Sequence, residues 1–222
     1  DLNDLDSASL EDVQSFFRTY YAPNNAVLTV VGDFKPAEAK GMIEKYFGRI
    51  SPADQPPKPD LTEPRQVEAK SFTKVDTLAN QPAIAFAYHM PERNTPEYYA
   101  MGVIDQILLQ GADSKLYEAL VQKRGFTQSV DGGINLLGNM FNYSGPMLWM
   151  FSLIHDRTVS PATITAAVDS VTESLAAAPV DDATLKRALV KFRSAYYDMT
   201  SEFFGFGRAD LMASFAMFDD DP

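Results

Sequence analysis

Residues 126–154 read FTQSVDGGINLLGNMFNYSGPMLWMFSLI, and this stretch decides the architecture. Phe126–Leu137 and Asn142–Ile154 read as two long strands joined by a glycine-bearing connection. Consecutive strands with so short a link pair antiparallel, because a parallel pair needs a crossover of a dozen residues or more. Downstream, Ser160-Pro161 opens a helix running to about Leu175, with a capping hydroxyl followed by proline at the first helical position. Asp181 opens another, with Leu185, Leu189, Phe192, Tyr196 and Met199 at helical spacing, and 203–218 reads as a third. Upstream, Gln66–Lys74 and Ala83–His89 alternate or run apolar as strands do. Thr95-Pro96-Glu97 starts a helix whose face continues through Val103, Ile107 and Leu108 and which Gly111 ends. Asp113 or Ser114 then caps a helix carrying Leu116, Leu120 and Val121.

Further upstream, residues 51–65 hold five prolines (Pro52, Pro56, Pro57, Pro59, Pro64) and read as an extended linker. Before it, Ser9 and Asp12 form a capping-box pattern, and Val13, Phe16, Phe17 and Tyr20 fall on one helix face. Ala22-Pro23-Asn24-Asn25 is turn chemistry, and Ala26–Val31 is a short β-branched strand closed by Gly32. Pro36 begins a second amphipathic helix through Ala39, Met42, Ile43, Tyr46 and Phe47. The division expected is therefore 1–50 as the tail of a preceding α/β domain, 51–65 as linker, and 66–222 as a second α/β domain incomplete at its C-terminus. Strands and helices that come in blocks give an α+β fold, a largely antiparallel sheet with helices packed on one face.

The 222 residues are enough for one full-sized domain or two small ones, and 45% apolar with 22% charged residues is a globular composition. Nineteen Lys and Arg against thirty Asp and Glu leave a net charge of −11. That balance excludes a nucleic-acid face and disfavours an anionic membrane surface. No cysteine is present, so disulfides and cysteine-based metal sites are out. No apolar run reaches the ~18–20 residues of a membrane span. The start, Asp1-Leu2-Asn3-Asp4, has neither an initiator Met nor a signal peptide and reads as a cut edge.

Catalytic signals are sparse. His89-Met90-Pro91-Glu92 spells H-x-x-E, but a second histidine is missing and Pro91 forbids the helix that would align the pair. His155 beside Asp156 ends a strand, where a turn role outweighs an oriented imidazole. Ser71-Phe72-Thr73-Lys74 matches S-x-x-K, yet it lies in a strand pattern without the companion motifs of a serine acyl-enzyme. It leaves an independent serine hydrolase as a rival reading that Ser71→Ala tests. Asn142-Tyr143-Ser144 is a glycosylation sequon by letter inside an expected strand. Neither a phosphate-binding P-loop nor a dinucleotide fingerprint occurs, and no carboxylate pair stands out as acid and base. Gly111-Ala112-Asp113-Ser114 is a glycine turn running into a capped helix start. It is a candidate peptide- or anion-facing loop, set against the plainer reading of a well-capped turn.

Three stretches together resemble one family. They are Ser9 through Asp33 (with Tyr20-Tyr21-Ala22-Pro23-Asn24-Asn25-Ala26 and Val30-Val31-Gly32-Asp33), Gly111–Tyr117, and Leu120–Val130. In order and spacing they are similar to the pitrilysin/insulinase family of inverted zincins, which includes mitochondrial processing peptidase. The resemblance implies a metalloenzyme-like domain of the LuxS and processing-peptidase type, and homologous domains that enclose a peptide chamber. It also implies zinc held by H-x-x-E-H and a distal Glu in one such domain. That motif is absent here, so no catalytic residue and no metal ligand carries over, and zinc is expected in an upstream domain of the parent.

In that family a partner domain often supplies an Arg and a Tyr to hold the substrate carbonyl. Val121 and Gln128 stand at those places, with Arg124 three residues from the first. The reading that results is an inactive, chamber-forming domain of a zinc metalloendopeptidase, with Gly111, Asp113 and Ser114 as its substrate-chamber loop. The alternative is a non-catalytic binding or assembly subunit. Partners are other domains of the parent or a homologous subunit, and peptides. A periplasmic or secreted setting fits best. Apolar Phe16, Phe17 and Tyr20, deprived of a neighbouring domain, would drive self-association, each contributing ~1.5–3 kcal/mol when buried.

Overall fold

The computed structural model describes residues 2–202 and 206–221 and divides them into two compact units. One comprises Leu61–Met199, the other residues up to Asp60 together with the stretch from Thr200 onward.

In the Leu61–Met199 unit, β1 (Ala83–His89), β2 (Asp131–Ile134) and β3 (Leu148–Ile154) form a three-stranded antiparallel sheet in the order β1-β3-β2. Ala83 pairs with Ile154 and His89 with Leu148; Asp131 pairs with Ser152 and Ile134 with Trp149. Alternation along β3 sends Trp149, Phe151 and Leu153 to one face, where they are buried, and leaves Ser152 and Ile154 exposed on the other. On the buried face lie Leu108 and Leu109 at the end of α4 (Pro96–Leu108), and Leu116 of the one-turn α5 (Lys115–Tyr117). Leu120 of the wider, π-type turn at Glu118–Gln122 and Ile164, Ala167 and Val168 of α6 (Pro161–Ala176) complete the cluster. The sheet is thus covered by helices on one side, the α+β layer expected. α7 (Asp182–Thr200) follows.

Caps account for the helix starts. Thr95 and Ser160 each accept from the amide three residues on, with proline at the first helical position. Gly132 is required in β2, since a Cβ there would run into the main chain of Met150 and Phe151.

Three expected strands are shorter or missing. Of Phe126–Leu137, only Asp131–Ile134 forms a strand, with one isolated antiparallel bridge from Thr127 to His155 ahead of it. Asn135 leaves the strand at φ 53°, and its side-chain amide donates to Asn139 O (2.9 Å) and Asn142 Oδ1 (2.8 Å), so local side-chain bonds replace the ladder. For the same reason Asn142–Ile154 is strand only from Leu148, and the Asn142-Tyr143-Ser144 sequon sits in a loop with Tyr143 buried. Gln66–Lys74 forms no strand; Val67 and Phe72 are exposed to 91% and 93%, and alternation without a pairing partner leaves the segment irregular.

The second unit holds α1 (Leu2–Ser7), α2 (Leu10–Tyr20), α3 (Pro36–Phe47) and α8 (Phe206–Phe218). The first three positions of the helix expected over 203–218 lie outside the described residues. Ser9 and Asp12 form the reciprocal capping box, Asp12 N–H donating to Ser9 Oγ (3.2 Å) and Ser9 N–H to Asp12 Oδ2 (2.9 Å). The Ser9 hydroxyl, which donates to Asp12 Oδ2 (2.7 Å), and then the Ser9 amide hold the Asp12 carboxyl below its ordinary value. Asn24 exchanges two hydrogen bonds with the Ala53 main chain. The expected strand Ala26–Val31 has no strand pairing among the described residues.

Candidate functional site

The loop between α4 and α5 is the best-anchored polar feature of the Leu61–Met199 unit. Gly111 turns it at φ 81°, a left-handed conformation that suits glycine. Three groups pin it. Lys191 Nζ, from α7, donates to Gln110 O (2.8 Å) and pairs with Asp113 Oδ1 (2.8 Å). Gln110 Nε2 donates to Gly132 O (3.2 Å), and Gln122 Nε2 to Ala112 O (3.2 Å). The Lys191 hydrogen bond holds the Asp113 carboxyl below the usual carboxylate range. A cavity of about 90 Å³ opens beside the loop, lined among others by Asp113, Lys115, Glu118, Thr184, Arg187 and Lys191.

Behind the loop lies Asp105. It is buried and accepts a hydrogen bond from Trp149 Nε1 (2.7 Å). Burial raises its carboxyl above the ordinary value, while bonds from Trp149 and Gln110 and the Lys191 charge work the other way. Asp105, Gln110 and Lys191 escape a reading of sequence alone. Lys191 lies far along the chain from the loop it holds, and Asp105 looks like one more polar residue on a helix.

Of the loop residues singled out from sequence, Gly111 and Asp113 are exposed. Ser114 is fully buried. Its amide donates to Gly111 O (3.1 Å), its hydroxyl does not cap α5, and its Oγ is left without a partner. Val121 is half-buried against the core, and Gln128 is exposed in the loop before β2. Arg124 donates to Ala119 O (3.0 Å). Ser71 is exposed in the irregular stretch ahead of β1.

The two histidines do not converge. His89, exposed at the end of β1, meets Gln66 Oε1 (3.4 Å) through Nε2. His155, 4% exposed, follows β3; its amide donates to Pro82 O and its Nδ1 lies 2.9 Å from Asp156 O. The register puts them at opposite ends of the sheet, roughly 24 Å apart at ~3.4 Å per strand residue. No group of three or more His, Asp or Glu side chains suited to a metal ion occurs among the described residues. The donor set here therefore does not fit zinc.

The model of the family described as "Peptidase M16 inactive domain" matches residues 7–191. The zinc protease PqqE of Helicobacter pylori is 26% identical over 125 residues, which is 55% of this chain and 28% of that protein. An uncharacterized zinc protease of Mycobacterium tuberculosis is 23% identical over 169 residues, 73% of this chain and 38% of that one. Among solved structures, a protease from Helicobacter pylori superimposes with a TM-score of 0.86 at 19% identity, covering 100% of this chain and 51% of its own. A peptidase M16 inactive domain from Pseudomonas fluorescens gives 0.68 at 18% identity, covering 96% and 48%. At these identities the structures speak for the fold alone. The chain spans well under half the length of the curated relatives it matches.

Proposed function

This chain belongs to the peptidase M16 inactive domain family, and we propose that it works as the non-catalytic, chamber-forming domain of a zinc-dependent metalloendopeptidase that degrades or processes peptides. The observation that carries this reading is the separation of its two histidines, neither of which has the carboxylate and second imidazole that a catalytic zinc needs. The zinc, and the water it would activate, then belong to another domain of a longer parent. What this chain supplies is wall and packing, with Gly111 and Asp113 facing the chamber and Ser114, which is fully buried, fixing the loop from behind. Lys191 holds that loop to α7, so an extended peptide would meet a fixed surface and not a mobile one.

Two measurements test this on the full-length gene product. Cleavage of a quenched fluorescent peptide should be abolished by a chelator and restored by zinc, and Ser71→Ala should leave it unchanged. Loss of cleavage with Ser71→Ala would favour a serine hydrolase instead. Lys191→Met, which frees the loop, should raise KM several-fold with a smaller effect on kcat; unchanged KM would remove the loop from the chamber wall.

One observation favours a second reading. The Val121 side chain has no donor and is packed on the core, and Gln128 is a weak donor, so neither supplies the carbonyl clamp that the family resemblance implies. A binding or assembly subunit would need no clamp. A full-length product that binds peptides, holds no zinc and cleaves none of them would establish that reading. A periplasmic or secreted setting is part of the proposal, and cell fractionation checks it.

A further inference from the structure

The cavity beside the Gly111–Ser114 loop is lined by more positive charge than the anchoring of the loop uses. Lys115 reaches it from α5, and Arg187 and Lys191 reach it from α7, where they stand one helical turn apart on the same face. Two carboxylates, Asp113 and Glu118, also border it. Each already has a cation. Asp113 pairs with Lys191 (2.8 Å), and Glu118 pairs with Lys123 (2.7 Å), which is not in the lining. Those bonds hold both carboxyls below their ordinary values, so both are charged at neutral pH. Lys115 and Arg187 form no ion pair among the described residues. They act on Glu118, Asp113 and Asp181 only by attraction at longer range. Arg187 is also oriented: its Nη2 donates to Thr184 Oγ1 (2.9 Å), and that hydroxyl donates to Asp181 Oδ2 (2.7 Å). Ile107 and Ala188 line the same cavity and are buried, and an apolar wall strengthens the pull of the charges beside it. The volume of about 90 Å³ equals that of about three waters, space for a carboxylate and the methylene that bears it.

We propose that this cavity is a carboxylate subsite, in which Arg187 and Lys115 take a carboxylate of a peptide lying along the Gly111–Ser114 loop. The peptides favoured are then those that bring an acidic side chain or a free C-terminus to that place. The proposal rests on the chamber reading above and names a substrate class for the same surface. Arg187 offers a planar fork that can bind a carboxylate through two parallel hydrogen bonds, and Lys115 adds a point charge. Lys191 is engaged by Gln110 O and Asp113, which leaves the other two cations to the incoming group. The lining holds three cations against two carboxylates, in a chain whose net charge is −11. The field of the whole chain repels an acidic peptide, so a preference for one has to come from a local site such as this.

Stopped-flow fluorescence anisotropy on the full-length gene product, read before turnover, tests this. The probes are labelled peptides of one sequence, capped at both ends, in which a single Glu is walked through the positions against Gln. A further peptide has Gln throughout and a free C-terminus. The proposal expects one Glu position, or the free terminus, to bind about 5-fold tighter or more than its uncharged counterpart, the upper end for a half-exposed ion pair. The two arms tell which carboxylate occupies the site. Arg187→Gln should bring that ratio close to 1, Arg187→Lys should keep part of it, and Arg187→Glu should turn it in favour of Lys at the same position. Equal or weaker binding of every carboxylate-bearing peptide to the unsubstituted product would overturn the proposal without any variant. So would a preference that survives both Arg187→Gln and Lys115→Gln. Cleavage by the same product is followed separately, because its outcome is independent. Zinc-dependent cleavage with no carboxylate preference leaves the domain reading standing and ends the subsite. A preference that Arg187→Gln removes, in a product that cleaves nothing, ends the peptidase reading and leaves the subsite.

Discussion

At the residue scale, Asp105 sits at the centre of the polar anchoring of the Gln110–Ser114 loop. Its carboxyl is raised by burial, so the folded chain holds that proton more tightly than the unfolded chain does. The stability this gives is complete below the ordinary carboxylate range and is lost as pH rises through the raised value. Asp105→Asn keeps an oxygen for Trp149 Nε1 and removes the charge. Thermal unfolding should therefore show the variant gaining on the parent chain between about pH 4 and about pH 7, and a gap equal at both pH values would contradict this. Gly111 answers to a different constraint. Its φ of 81° and the Asp113 Oδ1 that lies 3.2 Å from where a Cβ would stand predict that Gly111→Ala costs about 1 kcal/mol in a urea titration. Both effects require the structure to be seen. Glycine at 111 announces a turn in the sequence, but Lys191 is brought to it only by the packing of α7.

At the scale of elements, helices were readable and strands only in part. α2, α3, α4, α6 and α7 carry their own start signals (Ser9, Pro36, Thr95-Pro96, Ser160-Pro161, Asp181), and a cap is a local bond that a few residues can specify. A strand is specified by its neighbour. Ala83–His89 matched because β3 lies beside it; Gln66–Lys74 and Ala26–Val31 have the composition of strands and no partner among the described residues. The long strand expected over Phe126–Leu137 was cut at its C-terminal end by the Asn135, Asn139 and Asn142 bonds, which hydrophobic periodicity does not register. The turn at Glu118–Gln122 seats Leu120, fully buried, beneath β3. Leu120→Ala should cost about 2–5 kcal/mol and lower the unfolding midpoint of the Leu61–Met199 unit. A cost below about 1 kcal/mol would mean that this turn is not part of the core.

At the scale of the whole molecule, the chain is a member of the peptidase M16 inactive domain family. The chain carries a net charge of −11 and no cysteine, and its two histidines stand at opposite ends of one sheet. The family could be read from the sequence because the segments Ser9–Asp33, Gly111–Tyr117 and Leu120–Val130 keep their order and spacing. Which residues of the loop matter could not be read, because the groups that fix it come from α4, β2 and α7 together. The most direct test of the central claim is zinc content, together with cleavage of a quenched fluorescent peptide, on this chain purified with zinc supplied. The account predicts no stoichiometric zinc and no cleavage that a chelator stops. Tightly held zinc in equal number with the chains, lost on His89→Ala or His155→Ala and accompanied by chelator-sensitive cleavage, would contradict it.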